Sequence, residues 1–172
     1  MISVIGLTGK KRAGKSTVGD ILIEHMGFYG ISYAFALKEF VKGIYYPHIT
    51  EEHVNGELKE EVVEALGVSA RYLLCEIGDT LREIDGSIWL RPIEGLIVGN
   101  PHLDLVVTDV RYDNEVLQIR RLGGEIWRIE REGLAFDPHP SENSVTLPPD
   151  RVIHNNGTLE DLENEVSHIW NE

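Results

Sequence analysis

An alternation of apolar, strand-like runs with helix-like segments predicts an α/β domain built on a doubly wound parallel sheet. Three observations carry that prediction. The run Ile2–Leu7 passes through a glycine-rich turn into a segment whose apolar positions Val18, Ile21 and Leu22 share one helix face. A second apolar run, Leu103–Thr108, stops at Asp109. A third, Glu125–Arg131, alternates polar and apolar residues as a half-exposed strand does.

Between these anchors the remaining elements follow in order. The first helix ends near Gly27, and Gly30–Tyr33 reads as a short second strand. Phe35–Ile44 reads as a helix with Phe35, Leu37, Phe40, Val41 and Ile44 available for packing. Residues 45–56 carry turn formers and read as a connection. Helices are expected over about Glu57–Leu66, Ser69–Ile84 (with Ser69 as N-cap) and Ser87–Val98. Asn114–Leu122 is a further helix stopped by Gly123-Gly124. Residues 132–149 hold four prolines and read as a loop. Arg151–His154 is a last strand, and Thr158 caps a final helix with Asp161 three residues on.

The 172 residues suffice for one compact domain and leave little room for two. No apolar run is long enough to span a bilayer, and no leader-like segment opens the chain, so a cytoplasmic setting is expected. The single cysteine, Cys75, excludes an intramolecular disulfide and reads as a buried, inert thiol. A net charge of −13 argues against a nucleic-acid polymer or an anionic membrane as partner. Yet the first fifteen residues hold Lys10, Lys11, Arg12 and Lys15 and no acid at all. Such a cationic focus in an acidic chain suits a small polyanion.

Gly9–Ser16 fits G-x-x-x-x-G-K-[ST], set between a strand and a helix as a phosphate-binding loop requires. Glycines let successive N–H groups turn toward phosphate oxygens, and the helix N-terminus adds partial positive charge. The candidate nucleotide-binding residues are therefore Lys11, Arg12, Ala13, Gly14, Lys15, Ser16 and Thr17. Lys15 is expected to reach the β and γ phosphates of a nucleotide, and the Ser16 hydroxyl to ligate Mg2+.

In a doubly wound sheet, ligands gather at the carboxyl ends of the strands. That rule adds Asp109, Arg111, Arg128 or Arg131, and the Asn155-Asn156-Gly157 turn. Asp109 either holds the metal, directly or through water, or orients substrate, or caps the next helix. Arg111, a long cation at a strand end with nothing apolar to cover, is expected to clamp a phosphoryl group bidentately. Asn114 and Glu115 open the following helix, and Glu115 either complements its dipole or faces a pocket. Arg128 and Arg131 fall on opposite faces if the strand runs through both, so one of them should face a shared site. Arg120-Arg121 include at least one solvated side chain.

Read together, Gly6–Thr17, Tyr33–Glu39, Leu74–Arg82 with Trp89, Asp109–Glu115, Asp137–Glu142 and Ile153–Leu162 resemble the bacteriophage deoxynucleoside monophosphate kinases nearly end to end. The resemblance implies a five-stranded parallel sheet flanked by helices in the P-loop nucleoside monophosphate kinase manner. It implies one domain over 1–172, with a mobile helical acceptor-binding region inserted over approximately 34–98. It also implies ATP-dependent phosphoryl transfer to a deoxynucleoside monophosphate, giving the diphosphate as a DNA precursor. The donor adenine is expected against Asn156 and Gly157. Acceptor candidates are Phe35, Ala36, Leu37, Lys38, Arg71, Arg82, Trp89, Asp109, Arg111, Asn114, Glu115, His139 and Glu142. Phe35 and Trp89 are expected to pack on the base, and Glu115 or Glu142 to read its edge. Lys15, Arg111 and the site-facing arginine of Arg128 and Arg131 are the catalytic candidates. Two departures stand out: Gly78-Asp79-Thr80 reverses the family's Thr-Asp order, and the insert over 45–70 is short. Alternatives are a dephospho-coenzyme A kinase-like enzyme and a non-catalytic nucleotide sensor. Base preference and oligomeric state are not legible in the sequence.

Overall fold

The structure, a computed structural model, describes residues 3–134 and 145–171. In chain order its regular elements are β1 (Val4–Thr8), α1 (Lys15–Met26), β2 (Tyr29–Ile31), α2 (Ala34–Ile44), α3 (Glu51–Asn55), β3 (Val62–Val63), β4 (Val68–Ser69), α4 (Ala70–Ile84), α5 (Arg91–Gly99), β5 (Leu105–Val107), α6 (Asp113–Arg121), β6 (Glu125–Glu130), β7 (Arg151–His154) and α7 (Leu159–Trp170). They divide into two compact units, one of residues 1–32 with 96–172 and the other of residues 33–95.

The first unit is built on a five-stranded sheet in the order β2-β5-β1-β6-β7. Every pairing is parallel, with Ile5 opposite Val106 on one side and Glu125 on the other. All five residues of the central strand β1 are buried, which requires cover on both faces of the sheet. Leu7 points toward Gly19 of α1, whereas a Cβ at its neighbour Gly6 would meet Ile119 of α6. Alternation along β1 therefore sets α1 and α6 on opposite faces. On the α1 side, Leu7, Val18, Ile21, Leu22, Trp127, Leu162 and Val166 form one core with α7, and Trp170 meets Phe28 edge-on at 5.0 Å. Two-sided cover also explains a departure from the expected pattern in β6. Ile126 and Trp127 are adjacent yet both buried, where a half-exposed strand would alternate.

The connections leave β1 toward β2 and leave the adjacent β6 toward β7, in opposite directions. The crevice between them, at the carboxyl end of the sheet, is where such a topology opens a site.

In the second unit, α2, α3 and α4 enclose Val41, Ile49, Val54, Ala70, Leu73 and Leu74. Three expectations need correction here. Residues 45–56 are not all connection, because Thr50 and His53 form a capping box that starts α3. Glu57–Leu66 is not a helix. It runs as a short 3-10 turn over Glu57–Glu60 and then an antiparallel hairpin pairing Val63 with Val68. The β-branched pair Val62-Val63 favours the strand, and tertiary pairing overrides the helix-forming glutamates around it. The helix expected from Ser87 begins instead at Arg91, with Pro92 in its first turn. Before it, Asp85 accepts hydrogen bonds from the Ser87 amide (2.9 Å) and hydroxyl (2.7 Å), holding a turn.

The expected caps are present. Ser69 accepts from the Tyr72 amide at 3.2 Å. Thr158 accepts from the Asp161 amide at 3.2 Å, while the Asp161 carboxylate accepts from the Thr158 amide and hydroxyl at 2.8 and 2.7 Å. Those donors hold the Asp161 carboxyl below the ordinary aspartate range. Its contribution to α7 is therefore complete above that range and is lost as pH falls through the lowered value. Thr158→Ala should cost about 1 kcal/mol at neutral pH. It should also flatten the acid side of the stability profile, both read by urea unfolding at a series of pH values.

Candidate phosphate-binding site

Between β1 and α1 the backbone passes through the left-handed region at Gly9 (φ 139°), Arg12 (φ 66°) and Gly14 (φ 108°). Gly14 is the N-cap of α1, with no side-chain cap and no acid in the first turn. The amide end of the helix and its dipole thus face the loop without a carboxylate to neutralise them. A Cβ at Gly14 would collide with the Asn155 amide, and one at Gly9 with the Ile129 carbonyl, so both positions need glycine for space as well as for φ. Asn155, just past β7, donates its side-chain N–H to the Ala13 carbonyl (2.8 Å) and its backbone N–H to the Glu130 carbonyl (2.8 Å). That residue ties the loop to the edge of the sheet. The Lys15 ammonium folds back over the loop, donating to the carbonyls of Gly9 (2.5 Å) and Lys10 (2.9 Å).

A cavity of about 430 Å³ opens at this end of the sheet, lined from β1 by Thr8 and Gly9, from the loop by Lys10, Ala13 and Lys15, and from beyond β5 by Val110 and Arg111. Arg128, Ile129, Glu130 and Arg131 line it from β6, with Leu134 and Val145 completing the wall. Among these described residues, five cationic side chains face one carboxylate, in a chain of net charge −13. The size is that of a small-molecule site, and the charge is that of a polyanion site.

Arg128 and Arg131 both line the cavity; the expectation that one alone would do so held for a strand running through both, a condition the structure does not meet. The strand ends at Glu130, so Arg131 lies in the turn beyond it and escapes the alternation that separates strand neighbours. Arg128 also donates to the Leu147 carbonyl at 3.3 Å. Arg111 enters from the turn that follows β5. Its backbone N–H is held at 2.7 Å by the Glu115 carboxylate, which also accepts from the Tyr112 amide at 3.1 Å. Glu115 is 1% exposed. Its carboxylate closes the capping box of α6 and does not line the cavity, which agrees with the helix-end reading of the two that spacing left open rather than with reading a base.

Other sequence candidates lie elsewhere. Lys11, Arg12 and Ser16 are exposed around the loop, and Asp109 is half-buried in the turn after β5. Asn114 is half-buried in the first turn of α6. Asn156 is exposed and pairs with Glu132 through the Glu132 amide (2.8 Å) and carboxylate (3.3 Å). Thr17 and Gly157 contribute nothing to the cavity wall among the described residues. Of the Arg120-Arg121 pair, Arg121 is exposed, as expected of at least one, while half-buried Arg120 donates to the Pro148 carbonyl (2.7 Å) and Asp150 (3.0 Å).

Within the second unit, Lys38 donates to Asn55 at 2.6 Å, Arg71 lies 3.4 Å from Glu60, and Arg82 lies 3.8 Å from Asp79. Phe35 is 55% exposed on α2, beside half-buried Ala36 and Leu37. Trp89, by contrast, is buried and donates its indole N–H to the Gly78 carbonyl at 3.1 Å, the core position expected of an aromatic in an apolar helix rather than the base contact the resemblance implies. Cys75 is half-buried. His139 and Glu142 lie outside the described residues.

Sequence reasoning missed Thr8, Lys10, Val110, Ile129, Glu130, Leu134 and Val145 as cavity residues, and Asn155 as the loop's tether. The strand-end rule pointed at the Asn155 turn without its contact, which joins residues 142 positions apart. No helix among the described residues is long and apolar enough to cross a membrane.

Comparison with known proteins agrees with this geometry. No family model matches the chain. It is 33% identical, over 185 aligned positions, to a protein of Acanthamoeba polyphaga mimivirus described as "Putative deoxynucleotide monophosphate kinase"; the match covers 95% of this chain and 93% of the relative. Among solved structures, the Thermus thermophilus protein TT1252 is similar at TM-score 0.55 and 20% identity, covering 99% of this chain and 97% of that one. A structure titled as a putative kinase from Chloroflexus aurantiacus is similar at TM-score 0.53 and 15% identity, covering 99% and 96%. These two likenesses show the fold. The identity and the nearly complete mutual coverage of the viral relative show more: this chain belongs to the deoxynucleotide monophosphate kinase family.

Proposed function

We propose that the protein transfers the γ-phosphoryl group of ATP to a deoxynucleoside 5'-monophosphate, releasing ADP and the deoxynucleoside diphosphate. One observation carries this reading: Lys15, Arg111, Arg128 and Arg131, drawn from the carboxyl ends of three adjacent parallel strands, line a single cavity. Membership of a kinase family supports phosphotransferase chemistry for that cation cluster.

In this reading the loop amides and Lys15 hold the β and γ phosphates of ATP. The Lys15 ammonium exchanges its two carbonyl partners for phosphate oxygens when the nucleotide enters. An oxygen of the acceptor's 5'-phosphate attacks the γ phosphorus as the bond to the β–γ bridging oxygen breaks. The acceptor oxygen is already anionic, so no protein base is needed, and the work is positioning and charge stabilisation. Arg111, Arg128 and Arg131 neutralise the charge spread over the transferring group. The Ser16 hydroxyl and Asp109 carboxylate are hard oxygen donors, the chemistry Mg2+ takes alongside phosphate oxygens and water. When bound, the ion would neutralise donor phosphate charge, with Ser16 and Asp109 holding it. The second unit's Phe35, Lys38, Arg71 and Arg82 are the acceptor-side candidates, and Asn156-Gly157 the donor-base candidates.

The test is a coupled assay of ADP release with ATP, Mg2+ and each of the four deoxynucleoside monophosphates. Turnover of at least one is expected. Tight ATP binding with turnover of none would overturn the kinase reading and favour a nucleotide sensor. Replacing Arg111 with Ala should raise the barrier by about 3–5 kcal/mol, expressed mainly in kcat. Near-normal kcat in that variant would remove Arg111 from the reacting centre. Lys15→Ala should abolish turnover and weaken ATP binding while leaving the unfolding midpoint close to that of the parent.

A further inference from the structure

We propose that Asp113 is a positioning residue for Arg128, acting through a strap formed by residues 145–150. Asp113 is the first residue of α6, where an acid ordinarily serves its own helix. Here the capping of α6 is done by Glu115, and the Asp113 carboxylate reaches across the fold. One oxygen accepts from the backbone N–H of Thr146 (2.8 Å) and Leu147 (3.1 Å), and the other from the Thr146 hydroxyl (2.5 Å). All three donors lie 33 or 34 positions away in sequence. About two helical turns along the same face of α6, Arg120 holds the strap again through the Pro148 carbonyl and Asp150. Asp150 in turn accepts from the Ile126 amide at 2.8 Å, which fastens the strap to β6.

The strap has no regular structure of its own, so these contacts decide where it lies. Its position matters because Val145 forms part of the cavity wall and the Leu147 carbonyl receives the Arg128 guanidinium. The Leu147 amide that Asp113 holds and the Leu147 carbonyl that Arg128 uses belong to one residue. Fixing one therefore constrains the other. Arginine carries much rotamer freedom, and a planar guanidinium stabilises a transferring group only when its direction is set beforehand. Asp113 touches no reacting atom. Its effect on the site passes through Leu147.

This inference rests on the kinase reading for its consequence, so its test uses one readout that needs turnover and one that does not. Asp113→Ala, Arg128→Ala and the double variant are compared by kcat and KM, and separately by calorimetric binding of ADP. Asp113→Ala is expected to lower kcat about tenfold in the parent and to change it little in the Arg128→Ala background, because contacting residues of one network do not act additively. ADP affinity should follow the same non-additive pattern. The unfolding midpoint, by contrast, should fall by similar amounts in both backgrounds. Asp113→Asn, which keeps one acceptor oxygen, should recover part of the loss, and Thr146→Val should reproduce part of it without touching the carboxylate. Additive effects of Asp113→Ala and Arg128→Ala on both readouts would overturn the proposal. Absent turnover in the parent would overturn the kinase reading alone, leaving the ADP-binding cycle to decide the role of Asp113.

Discussion

The backbone between Gly9 and Gly14 turns through the left-handed region three times within six residues, and the cavity of the first unit is arranged around that path. A chain leaving the central strand would otherwise continue outward, away from the sheet. These turns bring it back, so that α1 starts at Gly14, beside Ile129 of β6 and Asn155 just past β7. Two of the turns are taken by glycine, and both glycines also face neighbours that leave no room for a Cβ. The third falls on Arg12, where a non-glycine residue costs conformational energy that the surrounding contacts must offset. Asn155 supplies one such contact by holding the Ala13 carbonyl, so the loop's shape depends on the last strand as well as on its own residues.

From that loop outward the site is a problem of charge. An acidic chain has gathered five cations around one cavity, and it does so by geometry: three adjacent parallel strands deliver their carboxyl ends, and the turn beyond each carries a basic residue. Cations this close repel one another, which makes the cavity attractive to a polyanion. The backbone supports hold them there. Glu115 fixes the backbone amide of Arg111, and Leu147 receives Arg128 from a strap that α6 holds at two points. α6 therefore does more than cover the sheet, since its residues Asp113, Glu115 and Arg120 all set positions along the cavity's side of the first unit.

How much of this was legible in the sequence depends on the range of the determining contacts. The phosphate loop, β1, β5 and the caps at Ser69 and Thr158 were readable because each is encoded within a few residues. Arg111 was readable because a cation just past an apolar strand has no packing purpose. The joint presence of Arg128 and Arg131 was not, because alternation assumes a strand that in fact ends at Glu130. The hairpin at Val62–Ser69 was hidden by helix-forming neighbours, and its pairing is a tertiary fact. Trp89 and Glu115 were left open between a structural place and a ligand contact because residue type alone does not separate a buried hydrogen bond from an exposed one. The Asp113–Thr146 and Asn155–Ala13 links were invisible for the simplest reason: nothing local announces a partner so far along the chain.

The central claim is that this cation-lined cavity stabilises a phosphoryl group in passage between two nucleotides. A dinucleoside polyphosphate, with adenosine and a deoxynucleoside joined through five phosphates, spans both ends of such a transfer in one molecule. Its calorimetric affinity, compared with those of ATP and the deoxynucleoside monophosphate, tests the claim most directly. The account predicts binding at least about a hundredfold tighter than that of ATP, within the range of analogues that capture both substrates, and loss of that advantage in Arg111→Ala. Equal affinity for the joined ligand and for ATP would contradict it, because the cavity would then be holding one nucleotide's phosphates and nothing more.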